Sequence, residues 1–327
     1  MADPSSGPSP DTPPDQSAAQ GIAPPPDSGF ARAAPYLALI AAAAFWGGTW
    51  TAARGSYQDL SPAVLAFSRW AVAAIVLVPL FGRSIWRHRA ALRQEGWRLV
   101  LLTAIGAVLF NYMIFRGVQT TTAINGALLN AATPIYIVLL SFLGIGERST
   151  GNQIIGIAIA MVGLIVIVTQ GSWDRLIALQ FVEGDLWIAA AMFLWGLYSI
   201  GVRAWNSALP PLTALAAMAG VAVLLLAPMA GVELALGGRL VLSAEAVYGM
   251  VYLGLFASIG SYVFWNFGIR KVGAPNGSLF QYLIPVFAAA FAILILSEDV
   301  ALYHLAGAVL IVIGILLANR KRSATPG

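Results

Sequence analysis

Residues 125–163 read NGALLNAATPIYIVLLSFLGIGERSTGNQIIGIAIAMVG, and residues 276–314 read NGSLFQYLIPVFAAAFAILILSEDVALYHLAGAVLIVIG. At an offset of 151, Asn125, Gly126, Leu128, Pro134, Glu147, Gly156 and Gly163 fall on Asn276, Gly277, Leu279, Pro285, Glu298, Gly307 and Gly314. Gly117 and Ala123 extend the match to Gly268 and Ala274. Further upstream the offset is 149, where Trp46, Gly47, Arg54 and Pro62 fall on Trp195, Gly196, Arg203 and Pro211. Two alanine- and glycine-rich helices match by composition alone. Tryptophan, proline, asparagine and glutamate in ordered register do not, so the chain is an internal duplication with a two-residue insertion.

The repeated segments are apolar, and so is the whole. Of 327 residues, 59% are hydrophobic and 10% charged, with a mean hydropathy of +0.80. A soluble domain carries roughly 25% charged residues. This chain lacks the polar coat of a soluble fold, and the expected class is an all-helical membrane protein. Ten apolar stretches are long enough to cross about 30 Å of hydrocarbon: 36–54, 62–81, 97–116, 119–143, 151–169, 185–204, 211–230, 245–267, 274–296 and 301–319. Each repeat then holds five spans. An odd number makes the second copy enter the bilayer from the opposite side, and inverted repeats that rock around a midplane site are a transporter device.

The division of the chain follows. Residues 1–34, rich in Pro, Ser, Ala and Asp, are expected to be a structureless cytoplasmic tail. Residues 35–170 and 185–319 are the two repeats, 171–184 a periplasmic linker, and 320–327 a basic cytoplasmic tail. With the N-terminus inside, thirteen basic residues fall on inside segments, and only Arg54, Arg116, Arg175 and Arg239 fall outside. The positive-inside rule therefore puts both termini in the cytoplasm, in what reads as a bacterial inner membrane. The formal charge of +4 is explained by these loops, and no nucleic acid is expected as a partner. The five arginines of 83–98 could touch anionic lipid, although topology alone accounts for them.

Several chemistries are excluded. The chain has no cysteine and only His88 and His304 as histidines, far apart. It has no phosphate-binding G-x-x-x-x-G-K-[ST] loop. No metal or cofactor is expected, and the chain does not read as an enzyme.

The same residues carry a resemblance. WGGTWTAAR, the proline-led span with Arg69, and the 125–163 segment with its second copy resemble the EamA family of the drug/metabolite transporter superfamily, over roughly residues 36–319. The resemblance implies ten helices, cytoplasmic ends, a central cavity between the halves, and export of amino acids or other small metabolites. It leaves the substrate open.

Candidate site residues come from polar and aromatic groups at membrane depth. Pro134 and Pro285 are equivalent helix-kink positions. A mid-helix proline frees the carbonyl four residues earlier, here that of Asn130 and of Gln281, so that a free carbonyl and a carboxamide meet at one depth. Such groups are tolerated where they face protein or a watery cavity; helix–helix bonding by the amides is the competing account. Trp46 and Trp195 lie at mid-span, where tryptophan is unusual, as an aromatic wall or as packing. Tyr198, Tyr282, Asn111, Tyr262, Trp265 and Asn266 would extend that wall. Arg69 is the clear intramembrane charge, costly unless paired or hydrated. It either binds carbonyls of a kinked helix, snorkels outward, or meets a substrate carboxylate.

Glu147 and Glu298 are expected to tie loops or cap helices, and the small-residue seams of spans five and ten to pack within one chain. With no acid at membrane depth, the expected cargo is a neutral or zwitterionic, amino-acid-like solute, moved by a monomer or homodimer through alternating access. An importer or a lipid flippase of the same fold is the nearer alternative, and a non-transporting membrane subunit the more distant one.

Overall fold

Pro62 and Pro211, equivalent in the repeat, each stand in the first turn of a long helix, where a missing N–H costs nothing because that group has no intrahelical partner. Such local signals divide the described residues into ten main helical segments in the computed structural model, which describes residues 29–52, 56–205, 207–296 and 301–319. They are α1 (Gly29–Ala52), α2 (Pro62–Arg87), α3 (Arg89–Val118), α4 (Ala123–Ala131 then Thr133–Ile145), α5 (Gly151–Val168), α6 (Glu183–Ala204), α7 (Pro211–Ala235), α8 (Ala244–Val272), α9 (Ala274–Ser278, a 3-10 turn Leu279–Tyr282, then Leu283–Leu296) and α10 (Leu302–Ala318). Eight of them, α2 to α9, are long and apolar enough to cross a membrane among the described residues. α10 is 17 residues long, about 25 Å at 1.5 Å per residue. α1 begins at Gly29, inside the stretch read as a structureless tail. Residues 1–28 and 320–327, with Arg54 and Glu298, lie outside the described residues. Residues from Pro35 onward form one compact unit.

The outward surface is apolar. Ile75, Leu224 and Leu294 are 73%, 75% and 78% exposed, which in water would be an aggregation surface and in a bilayer is the lipid face. Exposed Trp86 and Trp97 stand near the α2–α3 junction, and exposed Trp173 near the opposite end. These are the depths at which amphipathic indoles collect. Arg89 lies over the Trp86 ring at 5.0 Å and Arg98 over Trp97 at 5.3 Å.

Between helices in lipid, close packing replaces the hydrophobic effect, and glycine permits it. A Cβ on Gly156 of α5 would stand 2.5 Å from the Gly314 carbonyl of α10, and one on Gly163 would stand 2.6 Å from that of Gly307. Since Gly156 is the equivalent of Gly307 and Gly163 of Gly314, the contact is reciprocal, as a two-fold requires. The seam predicted for spans five and ten is thus an intrachain contact between the two repeats.

α3 and α8 share a departure from α-geometry. Ala104–Leu109 and Leu253–Gly260 are π-helical, at equivalent places in the two repeats. The second is eight residues against six, and that difference matches the step in offset from 149 to 151. Single π turns widen a helix and loosen its carbonyls, and they recur at functional sites.

Candidate functional site: a cavity between the repeats

The π turns supply oxygens to a polar network at mid-bundle. Arg69 of α2, 5% exposed, donates from Nε to Ser258 Oγ at 2.6 Å, from one Nη to Asn111 Oδ1 at 2.8 Å, and from the other to the Ala257 carbonyl at 2.8 Å. Ala257 and Ser258 belong to the α8 π turn. The Ala257 carbonyl also accepts from Trp46 Nε1 at 3.1 Å. Asn111 is oriented in turn by donating Nδ2 to the Ala107 carbonyl at 2.7 Å, within the α3 π turn. Arg69 therefore joins α2 and α3 of the first repeat to α8 of the second.

Around it stands an aromatic cluster. Trp46 and Trp195, equivalent in the repeat, meet edge to face with centroids 5.3 Å apart. Trp265 is 5.5 Å from Trp46 and 5.7 Å from Trp195, and Tyr262 is 5.5 Å from Trp195. Such pairs contribute roughly 0.5–1.5 kcal/mol each beyond the area they bury. Tyr262 donates its hydroxyl to the Gly106 carbonyl of the α3 π turn, and Tyr198 donates to Asn266 Oδ1 at 3.1 Å.

Beside this cluster lies a cavity of about 140 Å³. Its polar lining is Arg69, Asn111, Asn130, Gln281 and Thr49. Trp46, Trp195, Phe110 and Phe115 give aromatic walls, and Ile114, Val118, Ile188, Met192 and Ile284 the apolar remainder. Among the described residues, the lining holds no Asp or Glu. A neighbouring pocket shares Phe115 and Val118 with the cavity, and reaches Gln58, Gln119, Thr120 and Arg239. A wider one adjoins it through Pro62, Gln119 and Arg239. The cavity thus faces the end of the bundle that carries the α3–α4 and α7–α8 turns.

Trp46, Asn111, Asn130, Trp195, Gln281 and Arg69 are brought together on this lining. Tyr198, Tyr262, Trp265 and Tyr282 are each at most 1% exposed and stand behind it, while half-buried Asn266 meets Tyr198. Tyr282 donates its hydroxyl to the Ala131 carbonyl at 2.9 Å, at the break in α4. Pro134 and Pro285 both fall just inside the second part of a broken helix. At α4 the carbonyl that gains a side-chain donor is that of Ala131, one residue beyond Asn130. Phe110, Ile114, Ile188 and Met192 were not singled out from sequence, because an apolar residue in an apolar helix carries no mark of the face it occupies, and neither was Thr49, whose hydroxyl can bond within its own helix, here to the Phe45 carbonyl.

At the opposite end, Glu147, just past α4, accepts from Arg203 Nε at 2.8 Å, and Arg203 also donates to the Arg270 carbonyl at 2.7 Å. At the cavity-mouth end, Asp185 opens α6 and accepts from Thr121, from Asn125 Nδ2 at 2.8 Å and from the Val182 N–H at 2.8 Å.

The model of the EamA-like transporter family matches residues 33–169 and again 182–320, together most of the chain. The chain belongs to the EamA-like transporter family. Proteins similar to it include the uncharacterized transporter YyaM of Bacillus subtilis, 29% identical over 87% of this chain and 93% of that protein. A probable terminal-alkyne amino-acid exporter of Streptantibioticus cattleyicolor is 28% identical over 89% of this chain and 97% of its own length. A solved crystal structure at 19% identity superposes with a TM-score of 0.72 over 87% of this chain and 96% of that one, a likeness of fold. As an EamA protein, the chain is a multi-pass membrane transporter of two EamA repeats.

Proposed function

We propose that this EamA protein exports a small neutral or zwitterionic, amino-acid-like metabolite across a bacterial inner membrane by alternating access. The observation that carries the reading is the cavity lined by residues equivalent in the two repeats, Asn130 with Gln281 and Trp46 with Trp195. A site shared by two pseudo-symmetric halves can be presented to either side when one half rocks against the other. The similarity to the probable terminal-alkyne amino-acid exporter of Streptantibioticus cattleyicolor supports the solute class. The cavity mouth then faces the periplasm, with the 171–184 linker on that side, and the Glu147–Arg203 pair closes the cytoplasmic side, where both termini lie. The path lies within one chain, so a monomer suffices. Export from proteoliposomes loaded with radiolabelled amino acids tests it. The double variant Asn130→Ala with Gln281→Ala is expected to fold and to lose most of the flux; undiminished flux in that folded variant would refute the site.

A further inference from the structure

We infer that a groove between α4 and α5 binds one anionic phospholipid, its acyl chain along the groove and its phosphate on Arg148 and Ser149. This site lies outside the transport cavity and calls only for a chain set in a bilayer.

The groove follows from how the two helices pack. The second part of α4 packs on α6, whereas α5 packs on α10 and on the first part of α4. Between them is left a space of about 700 Å³, lined by Ile135, Leu139 and Phe142 of α4, by Ile154 of α5, and by Arg148 and Ser149 of the turn that joins them. Leu139, Phe142 and Ile154 are each more than half exposed, so the groove opens on the apolar surface that faces lipid. Water finds no polar partners along such a wall, and hydrocarbon chains are what the bilayer offers to fill it. From Ile135 to Ile145, α4 rises about 15 Å. That is half of the about 30 Å of a hydrocarbon core, so the groove has the reach of one acyl chain of one leaflet.

Polarity changes at one end, where a headgroup belongs. Arg148 is exposed and in no ion pair among the described residues, while the neighbouring acid, Glu147, is engaged by Arg203. The Oγ of Ser149 is buried and has no hydrogen-bond partner. A buried hydroxyl left unpaired is a cost that a bound oxygen acceptor removes. A guanidinium fork beside a hydroxyl suits the oxygens of a phosphate, and basic sites between helix ends are where anionic headgroups bind. A zwitterionic headgroup carries the same phosphate but brings a cation close to Arg148, so the site favours a lipid with net negative charge. Inorganic phosphate, without a chain, gains nothing from the apolar wall.

The test is native mass spectrometry of the full-length protein in detergent, titrated with phosphatidylglycerol and with phosphatidylcholine of identical acyl chains. The first phosphatidylglycerol is expected to bind at least about five-fold more tightly than the first phosphatidylcholine. Arg148→Gln is expected to remove that preference, a factor that corresponds to one basic residue beside an anionic surface. Arg83→Gln, at an exposed arginine near the C-terminal end of α2, is expected to leave it intact. Ile154→Trp, which fills the groove from an exposed position, is expected to weaken both lipids. Equal losses in Arg83→Gln and Arg148→Gln would reduce the site to a basic surface and overturn the inference. So would retention of both lipids by Ile154→Trp, no preference in the wild type, or displacement of the lipid by millimolar inorganic phosphate. A wild-type dimer that Ile154→Trp dissociates would give the groove to a second copy of the chain and overturn it as well.

Discussion

Tyr282 donates its hydroxyl to the carbonyl of Ala131 at 2.9 Å, and the two positions are equivalents in the internal repeat, 131 plus 151 giving 282. One repeat therefore mends the broken helix of the other. α4 breaks at Ala132 ahead of Pro134, and the carbonyl set loose at the break is satisfied from α9 by a side chain from the same station. The second repeat meets its own break differently, by tightening Leu279–Tyr282 into a 3-10 turn. The symmetry that a duplication begins with has been spent on a bond between the halves.

Removing that hydroxyl gives a first prediction. Tyr282→Phe keeps the ring and leaves the Ala131 carbonyl without this donor, away from water. The expected loss is about 1–3 kcal/mol of stability, seen as a lowered melting temperature in detergent. Because Tyr282 stands behind the cavity lining, affinity for the transported solute is expected to change by less than three-fold, as isothermal titration would show.

The seam between α5 and α10 gives a second. At Gly163 an added Cβ meets the Gly307 backbone carbonyl at 2.6 Å, and backbone cannot swing aside as a side-chain tip can. Gly163→Leu is expected to cost more than the 1–3 kcal/mol typical of overpacking and to abolish monodisperse protein in size-exclusion chromatography. Gly151→Ala, at a glycine with nothing within 4 Å of the added atom, is the matched control and is expected to be neutral.

Asp185 gives a third. Its carboxylate, 1% exposed, gathers Thr121, Asn125 and the Val182 N–H at the mouth end. Asp185→Ala leaves those donors unpaired and removes the cap of α6, expected to cost about 1–3 kcal/mol. Asp185→Asn keeps acceptor capacity and is expected to lose about half as much. Thermal unfolding of the two variants side by side checks the order.

How far these features could be seen in the sequence depends on what leaves a chemical trace. The ten spans follow from hydropathy, and the duplication from rare residues kept in register: Trp46 with Trp195, Pro134 with Pro285. Asn130 and Gln281 were legible because an amide in an apolar helix needs a reason to be there. The π turns at 104–109 and 253–260 were not. They alter how backbone groups pair without demanding any particular side chain, so AIGAVL reads as ordinary helix. Binding of Arg69 to carbonyls of a kinked helix was one of the readings the sequence offered, but that the carbonyl is that of Ala257 was hidden, since every residue has one. Tyr262 and Trp265 looked like cavity wall because aromatics at membrane depth suit both a wall and a core, and burial assigns them to the core.

The last prediction concerns Glu147 and Arg203, the pair at the end opposite the cavity mouth. Glu147 belongs to the first repeat, and Arg203, with the Arg270 carbonyl it also reaches, to the second. An ion pair across the two halves favours the conformation in which that end is closed. Its members are 28% and 35% exposed, so solvent screens the attraction and the pair is worth about 0–1 kcal/mol. Glu147→Ala is therefore expected to shift the balance toward the conformation open at that end by at most about five-fold, without unfolding the protein. The chain has no native cysteine, so spin labels at Arg148→Cys and Lys271→Cys report the distance between the halves without further engineering. In Glu147→Ala the longer-distance population is expected to rise by that factor, and Arg203→Gln to match it, since each removes the same pair. An unchanged distance distribution in both variants would show that the pair fastens a loop and does not govern the opening.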